Sequence, residues 1–307
     1  MSHKTLFLAL VQHACSRNYQ QNLARSFDGI REAAAKGAQL ILLQELHTSA
    51  YFCQQEQTSY FELAETIPGP TCNRLAELAR ELNIVIVTSV FEKRAAGLYH
   101  NTAVVLERDG SIAGIYRKMH IPDDPGYHEK FYFTPGDYTD KAGINSAFTP
   151  IETSLGRLGI LVCWDQWFPE AARLMSLAGA DILLYPTAIG WDEEDNSAEQ
   201  QRQRSAWRTI QQAHAIANGI PVAACNRCGT ETADDGNGQI RFWGSSFVAG
   251  PQGEILTEAS TEHAAVLLVE LDLSRTETVR QNWPYLRDRR IDAYADLSRR
   301  YRDHIKN

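Results

Sequence analysis

The chain has 307 residues, 44% of them apolar and 22% charged, which fits one large soluble α/β domain or two small ones. Its 30 basic and 38 acidic residues leave a net charge of −8, which argues against nucleic acid as the main partner. No stretch is long and apolar enough for a membrane span, and the run Leu6 to Val11 is too short for a signal peptide. Cys15, Cys53, Cys72, Cys163, Cys225 and Cys228 are scattered too widely for a disulfide framework. A reducing compartment, the cytoplasm, is therefore expected.

Thr5 to Gln12 reads as a buried first strand. Asn18 is placed to cap a helix through Leu23, Phe27, Ile30 and Ala34, closed by Gly37. Gln39 to Gln44 is a second strand, and Glu45 stands at its exit. An acid there is as often a cap or loop residue as a functional one, although open α/β sheets bind ligands at the carboxyl ends of their strands. Residues 50–70 carry aromatics and acids without a clear period. Asn73 to Leu82 has helical spacing and Ile84 to Val90 is strand. Asn101 to Leu106 and Ile112 to Arg117 flank Asp109-Gly110, a hairpin signal. The second arm delivers Lys118, which alone would be read as solvated surface.

Residues 119–147 form a long irregular stretch, of the kind that is functional or disordered. The aromatics Phe131 to Phe133 argue against disorder. A packed loop over a site is expected, with Glu129 and Tyr132 as its candidates. Leu158 to Val162 is an apolar strand that ends on Cys163, and helical spacing follows Pro169 through Ala171, Leu174, Met175 and Leu177. Cys163 thus sits where strand gives way to helix. Turn N–H groups and the helix dipole favour a thiolate there and can hold an oxyanion. On position alone, an inert core cysteine is the commoner outcome.

Asp181 to Tyr185 is strand, followed by an aromatic and acidic loop of Trp191, Asp192, Glu193, Glu194 and Asp195. Ser197 caps a long helix through Trp207, Ile210, Gln211 and His214, ending near Asn218-Gly219. His214 is read as a packing residue. Pro221 to Cys225, Ile240 to Ala249, Glu254 to Thr257 and Ala264 to Leu271 are strands. One domain over residues 1–272 is expected, followed by a charged arm over 273–307. The arm cannot bury a core alone, so it packs on the domain or on a neighbouring subunit.

Cys225 and Cys228 form the single C-x-x-C. A second ligand pair for zinc is missing, and a loop rather than a helix follows, so a structural role is favoured. The chain has no Walker loop, G-x-G-x-x-G, G-x-S-x-G or H-E-x-x-H. Glu45, Lys118 and Cys163 all fall at strand ends. If those strands are neighbours and point the same way, the three side chains converge. A carboxylate can then take the thiol proton. The ammonium can lower the thiol pKa from its reference of about 8.5 and steady an oxyanion. The thiolate attacks a carbonyl or nitrile carbon.

With Q-E-L at Glu45, Y-R-K at Lys118 and G-I-L-V-C-W-D-Q-W-F-P-E at Cys163, the chain resembles the nitrilase (carbon–nitrogen hydrolase) superfamily over roughly residues 5 to 290. Y-H-E-K-F-Y-F-T-P-G-D around Glu129 and F-W-G-S-S-F-V-A-G-P-Q-G-E extend the likeness. The resemblance implies an α/β fold, a four-layer αββα sandwich with two mixed β-sheets. It also implies a Glu45, Lys118, Cys163 triad, no metal or organic cofactor, and homo-oligomers built through helix faces and the C-terminal arm. In this reading the Trp164 backbone N–H helps Lys118 hold the oxyanion, and Glu129 orients substrate or the attacking water.

The expected activity is that of a thiol amidohydrolase on a small ureide. The positions after the nucleophile, Trp164 to Trp167, offer no arginine for a substrate carboxylate. Instead Asp192 or Glu193, with Tyr132 or Trp191, is expected to take a distal ammonium, which makes the ureide cationic. A solvated acidic helix start is an equal reading of the same loop. β-Ureidopropionase-like and ω-amidase-like enzymes are the alternatives within the class. A scaffold protein keeping the fold, and a zinc or redox protein using Cys225 and Cys228, lie outside it.

Overall fold

The computed structural model describes residues 5–137, 147–192, 194–236 and 238–302. The first half runs β1 (Thr5–Gln12), α1 (Tyr19–Ala35), β2 (Leu40–Leu43), α2 (Pro70–Leu82), β3 (Val85–Ala95), β4 (Leu98–Leu106) and β5 (Ile112–Arg117). The second half begins β6 (Ile151–Thr153), β7 (Gly156–Ile160), α3 (Pro169–Leu177), β8 (Ile182–Pro186), β9 (Gly190–Asp192) and α4 (Ser197–Asn218). It continues β10 (Val222–Cys225), β11 (Cys228–Thr232), β12 (Gln239–Trp243), β13 (Phe247–Ala249), β14 (Ile255–Glu258), β15 (Ala265–Asp272) and α5 (Arg275–Asn282).

Two six-stranded mixed sheets result, in the orders β15-β1-β2-β3-β4-β5 and β14-β13-β10-β8-β7-β6. A three-stranded ribbon, β11-β12-β9, accompanies them. The sheets are built alike. Three parallel strands joined by two helices lead into an antiparallel pair, and one further antiparallel strand closes the other edge.

The apolar runs explain the layering. In β1 and β2, Leu8, Leu10, Leu40 and Leu42 join the core between the sheets, where Ile160, Leu184 and Ala224 meet them. The alternate residues Ala9, Val11, Ile41 and Leu43 join a second core with Ile30 and Ala33 of α1 and Leu75, Leu78 and Ala79 of α2. Side chains alternate across a strand, so a strand buried on both faces must be apolar throughout. The helices α3 and α4 lie against the other sheet through Ala171, Met175, Trp207 and Ala215. The order is helix, sheet, sheet, helix, the four-layer sandwich expected. Gly29 lets α1 sit close to the sheet, since a Cβ there would lie 2.4 Å from Val11 Cγ1.

Beyond shifts of two or three residues at several element ends, three features differ from the sequence reading. The cap of α4 is Asn196, whose side chain accepts from Ala198 N and Glu199 N, and Ser197 is already helical. The run Ile240 to Ala249 is two strands, broken where Gly244 and Ser245 take positive φ of 50° and 54°. The strands that deliver Glu45 and Lys118 are not neighbours, because β3 and β4 separate β2 from β5. They do point the same way: β2 is parallel to β3, and β5 is antiparallel to β4, which is antiparallel to β3.

After β15 the chain passes into α5, where Arg280 donates to Asn218 O and Ser176 Oγ, both at 3.0 Å. Trp283, Tyr285, Ile291, Leu297 and Tyr301 beyond it are exposed. Among the described residues, no helix is long and apolar enough to cross a membrane.

Between β1, α1 and β3 runs a buried polar chain. His13 Nε2 meets Ser26 Oγ at 3.0 Å, Ser26 Oγ meets His47 Nδ1 at 2.7 Å, and His47 Nε2 meets Thr88 Oγ1 at 2.7 Å. Burial pushes the His13 pKa down to about 4 and that of His47 well below the ordinary histidine value. Both imidazoles are neutral in the fold, whereas the unfolded chain gains their protons below about pH 6.5. Their contribution is complete above that pH and is lost as the pH falls toward the folded pKa. The destabilisation caused by His13→Gln should therefore be largest at pH 7 and shrink by about 1.4 kcal/mol per pH unit between pH 6 and 4.5. Urea midpoints across that range test it, and a pH-independent difference would refute it.

Candidate active site

The carboxyl ends of the parallel strands in the two sheets meet at one edge of the sandwich. Glu45 follows β2 there, with its N–H 3.3 Å from Thr187 O beyond β8. Gln44 ties this exit to that of β1 by accepting from His13 N at 2.9 Å. Lys118 follows β5, with its backbone N–H donating to Asn101 O of β4 at 2.9 Å. Its long side chain crosses the gap left by β3 and β4. Lys118 Nζ donates to Glu45 Oε1 at 2.9 Å and to Glu129 Oε2 at 2.6 Å. All three side chains are buried.

The remaining oxygens of the two carboxylates differ. Glu45 Oε1 also accepts from Asn101 Nδ2 at 2.6 Å, which leaves Oε2 buried and without a partner among the described residues. Glu129 Oε1 accepts from Tyr51 OH at 2.7 Å. Burial opposes the charge of Lys118, but Glu129 and Glu45 outweigh it and hold the ammonium pKa well above the usual lysine value. Burial, with help from the Glu45 charge and against Lys118, raises the Glu129 pKa to about 7.

Cys163 begins a turn of 3-10 helix, Cys163–Trp167, and α3 starts only at Pro169. The thiol is therefore not at the mouth of an α-helix, and the dipole argument from sequence does not apply. The backbone at Cys163 has φ of 44°, a left-handed conformation that L-residues rarely hold without support. Asp165 supplies that support. Its Oδ2 accepts from Val162 N at 2.9 Å and Tyr116 OH at 2.8 Å, and its Oδ1 accepts from His120 N at 3.0 Å. The His120 ring stacks on Phe168 with centroids 3.7 Å apart. On the other side of the turn, Gln166 Oε1 accepts from Trp207 Nε1, and Gln166 O meets His214 Nε2, both at 2.8 Å. His214 serves the turn by packing and hydrogen bonding.

The thiol is buried, with Sγ 3.7 Å from Ala188 O, and it interacts electrostatically with Glu45, Lys118 and Glu129. Burial is the largest influence. Together with the two carboxylates it outweighs Lys118 and raises the thiol pKa well above its ordinary value. Lys118 lowers it as expected, but the net shift is upward. The resting state is a thiol, so attack requires a base at hand, and the free oxygen of Glu45 has that character.

Cys163 and Glu129 line an open cleft of about 530 Å³ with Trp164, Trp167, Tyr127 and Trp243. Its flank carries Asp124, Asp192, Asp195 and Glu199, with Arg202 as the counter-charge. Of the substrate residues expected from sequence, Trp164 and Asp192 are in the lining. Glu193 lies outside the described residues. Tyr132 is buried elsewhere, its hydroxyl donating to Gln55 O. Trp191 is also turned away from the cleft, with its indole N–H donating to Gln200 O at 2.9 Å and Arg241 over its ring. Tyr127 and Trp243 supply the aromatic walls instead. Asn101, Tyr51 and Asp165 were missed, and only Asp165 had a sequence signal, as an acid two residues after the cysteine.

Cys225 and Cys228 stand outside this cleft. The Cys225 thiol donates to Val11 O at 3.3 Å in the core. Among the described residues, no group of three His, Cys, Asp or Glu side chains is arranged to hold a metal ion.

Residues 7–281 match the family model described as carbon-nitrogen hydrolase, and the chain belongs to that family. It is 44% identical over 297 residues to an N-carbamoylputrescine amidase of Arabidopsis thaliana, covering 96% of this chain and 95% of that protein. It is 39% identical to a citrullinase of Francisella tularensis subsp. tularensis, over 96% of this chain and 98% of the relative. Among solved structures it is similar to a carbon–nitrogen hydrolase from Helicobacter pylori G27, with a TM-score of 0.92 and 51% identity, covering 97% of this chain and 100% of the other.

The buried Asp165 carboxylate is the joint between the Lys118 and Cys163 loops. Asp165→Asn removes one charged acceptor and should destabilise the protein by about 3 kcal/mol in urea unfolding. A loss under about 1 kcal/mol would show that the turn stands without this anchor.

Proposed function

We propose that the protein is a thiol amidohydrolase that hydrolyses N-carbamoylputrescine to putrescine, carbon dioxide and ammonia. The observation that carries this reading is the unpartnered Glu45 Oε2 in the same buried cluster as the Cys163 thiol and a charged Lys118. Glu45 takes the thiol proton, and the sulfur attacks the ureido carbon. Lys118 and the Trp164 N–H stabilise the oxyanion. As the tetrahedral adduct collapses, one C–N bond breaks and the departing nitrogen receives the proton held by Glu45. Water, deprotonated by Glu45 and oriented by Glu129, attacks the S-carbamoyl thioester. The thiolate leaves and recovers its proton, and the carbamate breaks down to amine or ammonia and carbon dioxide. Either order of departure gives the same products and needs no oxidant or metal.

The acidic flank and aromatic walls support a cationic tail on the ureide. Asp192, with Tyr127 rather than Tyr132, is the proposed ammonium contact. Arg202 in the same lining supports a second reading, a zwitterionic ureide such as L-citrulline, although Arg202 already donates to Glu199 Oε2 at 2.8 Å. The six free cysteines fit a reducing compartment such as the cytoplasm. The exposed Leu174 and Leu177 on α3, and the exposed Ile216 on α4 with Trp283 and Tyr285 beside it, support a homo-oligomer through those helices and the arm.

Ammonia release from a ureide panel tests the reading. Cys163→Ala and Cys163→Ser should each lose activity by roughly 10⁴-fold, and retained turnover in either ends the mechanism. N-carbamoylputrescine should exceed N-carbamoyl-β-alanine and L-citrulline in kcat/KM. Asp192→Asn should raise KM for the cationic substrate about tenfold with kcat little changed. A preference for the acid would reject the ammonium site.

A further inference from the structure

The residue between the two cysteines of the C-x-x-C sequence that matters most is Arg227, in the turn from β10 to β11. It has no exposed surface. Its Nη2 donates to Glu45 O at 2.7 Å and Leu46 O at 3.0 Å. Its Nη1 donates to Ser49 O at 3.2 Å and to Glu231 Oε1 at 2.8 Å. The guanidinium lies 5.2 Å from the centre of the Phe242 ring. The turn that carries it is fixed by Asn226, whose side chain pairs with both Ile189 N and Ile189 O at 3.0 Å.

One guanidinium therefore satisfies three backbone carbonyls of the segment from Glu45 to Ser49. Without it, the buried Glu45 carbonyl would lose this charged donor, and Leu46 O would keep only its bonds from Ser49 N at 3.2 Å and Ser49 Oγ at 3.4 Å. The segment needs holding, because Leu46 has φ of 46°. The partner of Arg227 extends the hold. The free oxygen of Glu231, Oε2, accepts from Tyr51 N, and the Tyr51 hydroxyl donates to Glu129 Oε1. Arg227 thus reaches one of the two carboxylates around Lys118 through its backbone and the other through Glu231 and Tyr51. It does not line the cleft.

We propose that Arg227 is the positioning residue of the acid pair, fixing the backbone from which Glu45 presents its free oxygen to the thiol and the tyrosine that orients Glu129. The proposal rests on Cys163 being the nucleophile and Glu45 its base, and it adds a residue that touches neither substrate nor sulfur. A planar fork can span three carbonyls and a carboxylate at once, which a lysine ammonium cannot. The charged and titratable groups that face the acid pair are Lys118, Cys163, Tyr51, Cys53, Tyr127 and Arg227 itself. Those that face Arg227 are Glu231, Glu45, Tyr51, Cys15, Cys53, His13, His47 and Cys228. The Tyr51 hydrogen bond favours ionised Glu129, so loosening it moves the acid limb of activity to higher pH.

The test compares Arg227→Lys, Tyr51→Phe, the double variant and Glu231→Gln by kinetics and by alkylation of Cys163 with iodoacetamide across pH. Arg227→Lys should lower kcat about 100-fold, with KM for N-carbamoylputrescine within about threefold. Its acid limb should rise by about half a pH unit or more. Tyr51→Phe should shift that limb in the same direction, and the double variant should shift it no further than the larger single shift. If Arg227→Lys does not fold, Glu231→Gln carries the test, with the same upward shift expected. A loss confined to KM, an unmoved limb in the folded variants, or shifts that simply add would overturn the proposal. Alkylation requires no ureide. A Cys163 whose alkylation limb moves in these variants, in a protein inert toward every ureide, would remove the substrate reading and leave this one standing.

Discussion

An ammonium with no exposed surface keeps its charge only where carboxylates compensate for the water it has lost. Lys118 has two such partners, and loss of either leaves the buried cation with a single counter-charge. This constraint dictates much of the surrounding architecture. Glu45 must stand at the exit of a central strand, Glu129 must be delivered by a loop folded back over the edge, and both must be held firmly enough to face one nitrogen. Asn101, Tyr51 and Arg227 provide the holding from three different elements.

The same cluster explains why the cysteine rests as a thiol. Two carboxylates and burial oppose a thiolate more strongly than one lysine favours it. A thiolate stored in the resting state would also be exposed to oxidants and stray electrophiles. On the mechanism proposed above, the proton leaves only as the carbon centre is attacked, and Glu45 receives it through an oxygen that has no partner among the described residues. The strained backbone at Cys163 fits that scheme, since Asp165 and Gln166 fix the turn on both sides and place the sulfur independently of its charge.

The elements most legible in the sequence were those under the simplest constraint. A strand covered on both faces must be largely apolar, so β1 and β2 could be read directly, and with them the exit that carries Glu45; the apolar run before Cys163 was also legible, although β7 itself covers Gly156–Ile160 and ends two residues short of Val162. What spacing could not convey was strand order. Lys118 reaches Glu45 across two intervening strands, and Asn101, lying in one of them, has no local signature. The loop over the cleft was the hardest part. An aperiodic segment does not encode which way each ring points, so Tyr132 was chosen where Tyr127 lines the cleft, and Trp191 faces a helix instead of solvent space near the thiol. The α4 cap shifted by one residue because Asn196 and Ser197 can both accept the same amide protons.

The duplicated arrangement of the two sheets has a consequence for when the molecule becomes reactive. Glu45, Lys118 and Glu129 precede residue 147, and Cys163 belongs to the other half. During synthesis Glu45, Lys118 and Glu129 emerge before Cys163. The sulfur arrives on a sheet that must dock face to face before its neighbours can act on it. On the proposed mechanism, reactivity is thereby tied to completion of the interface between the halves, and a truncated or half-folded polypeptide carries chemically dormant parts.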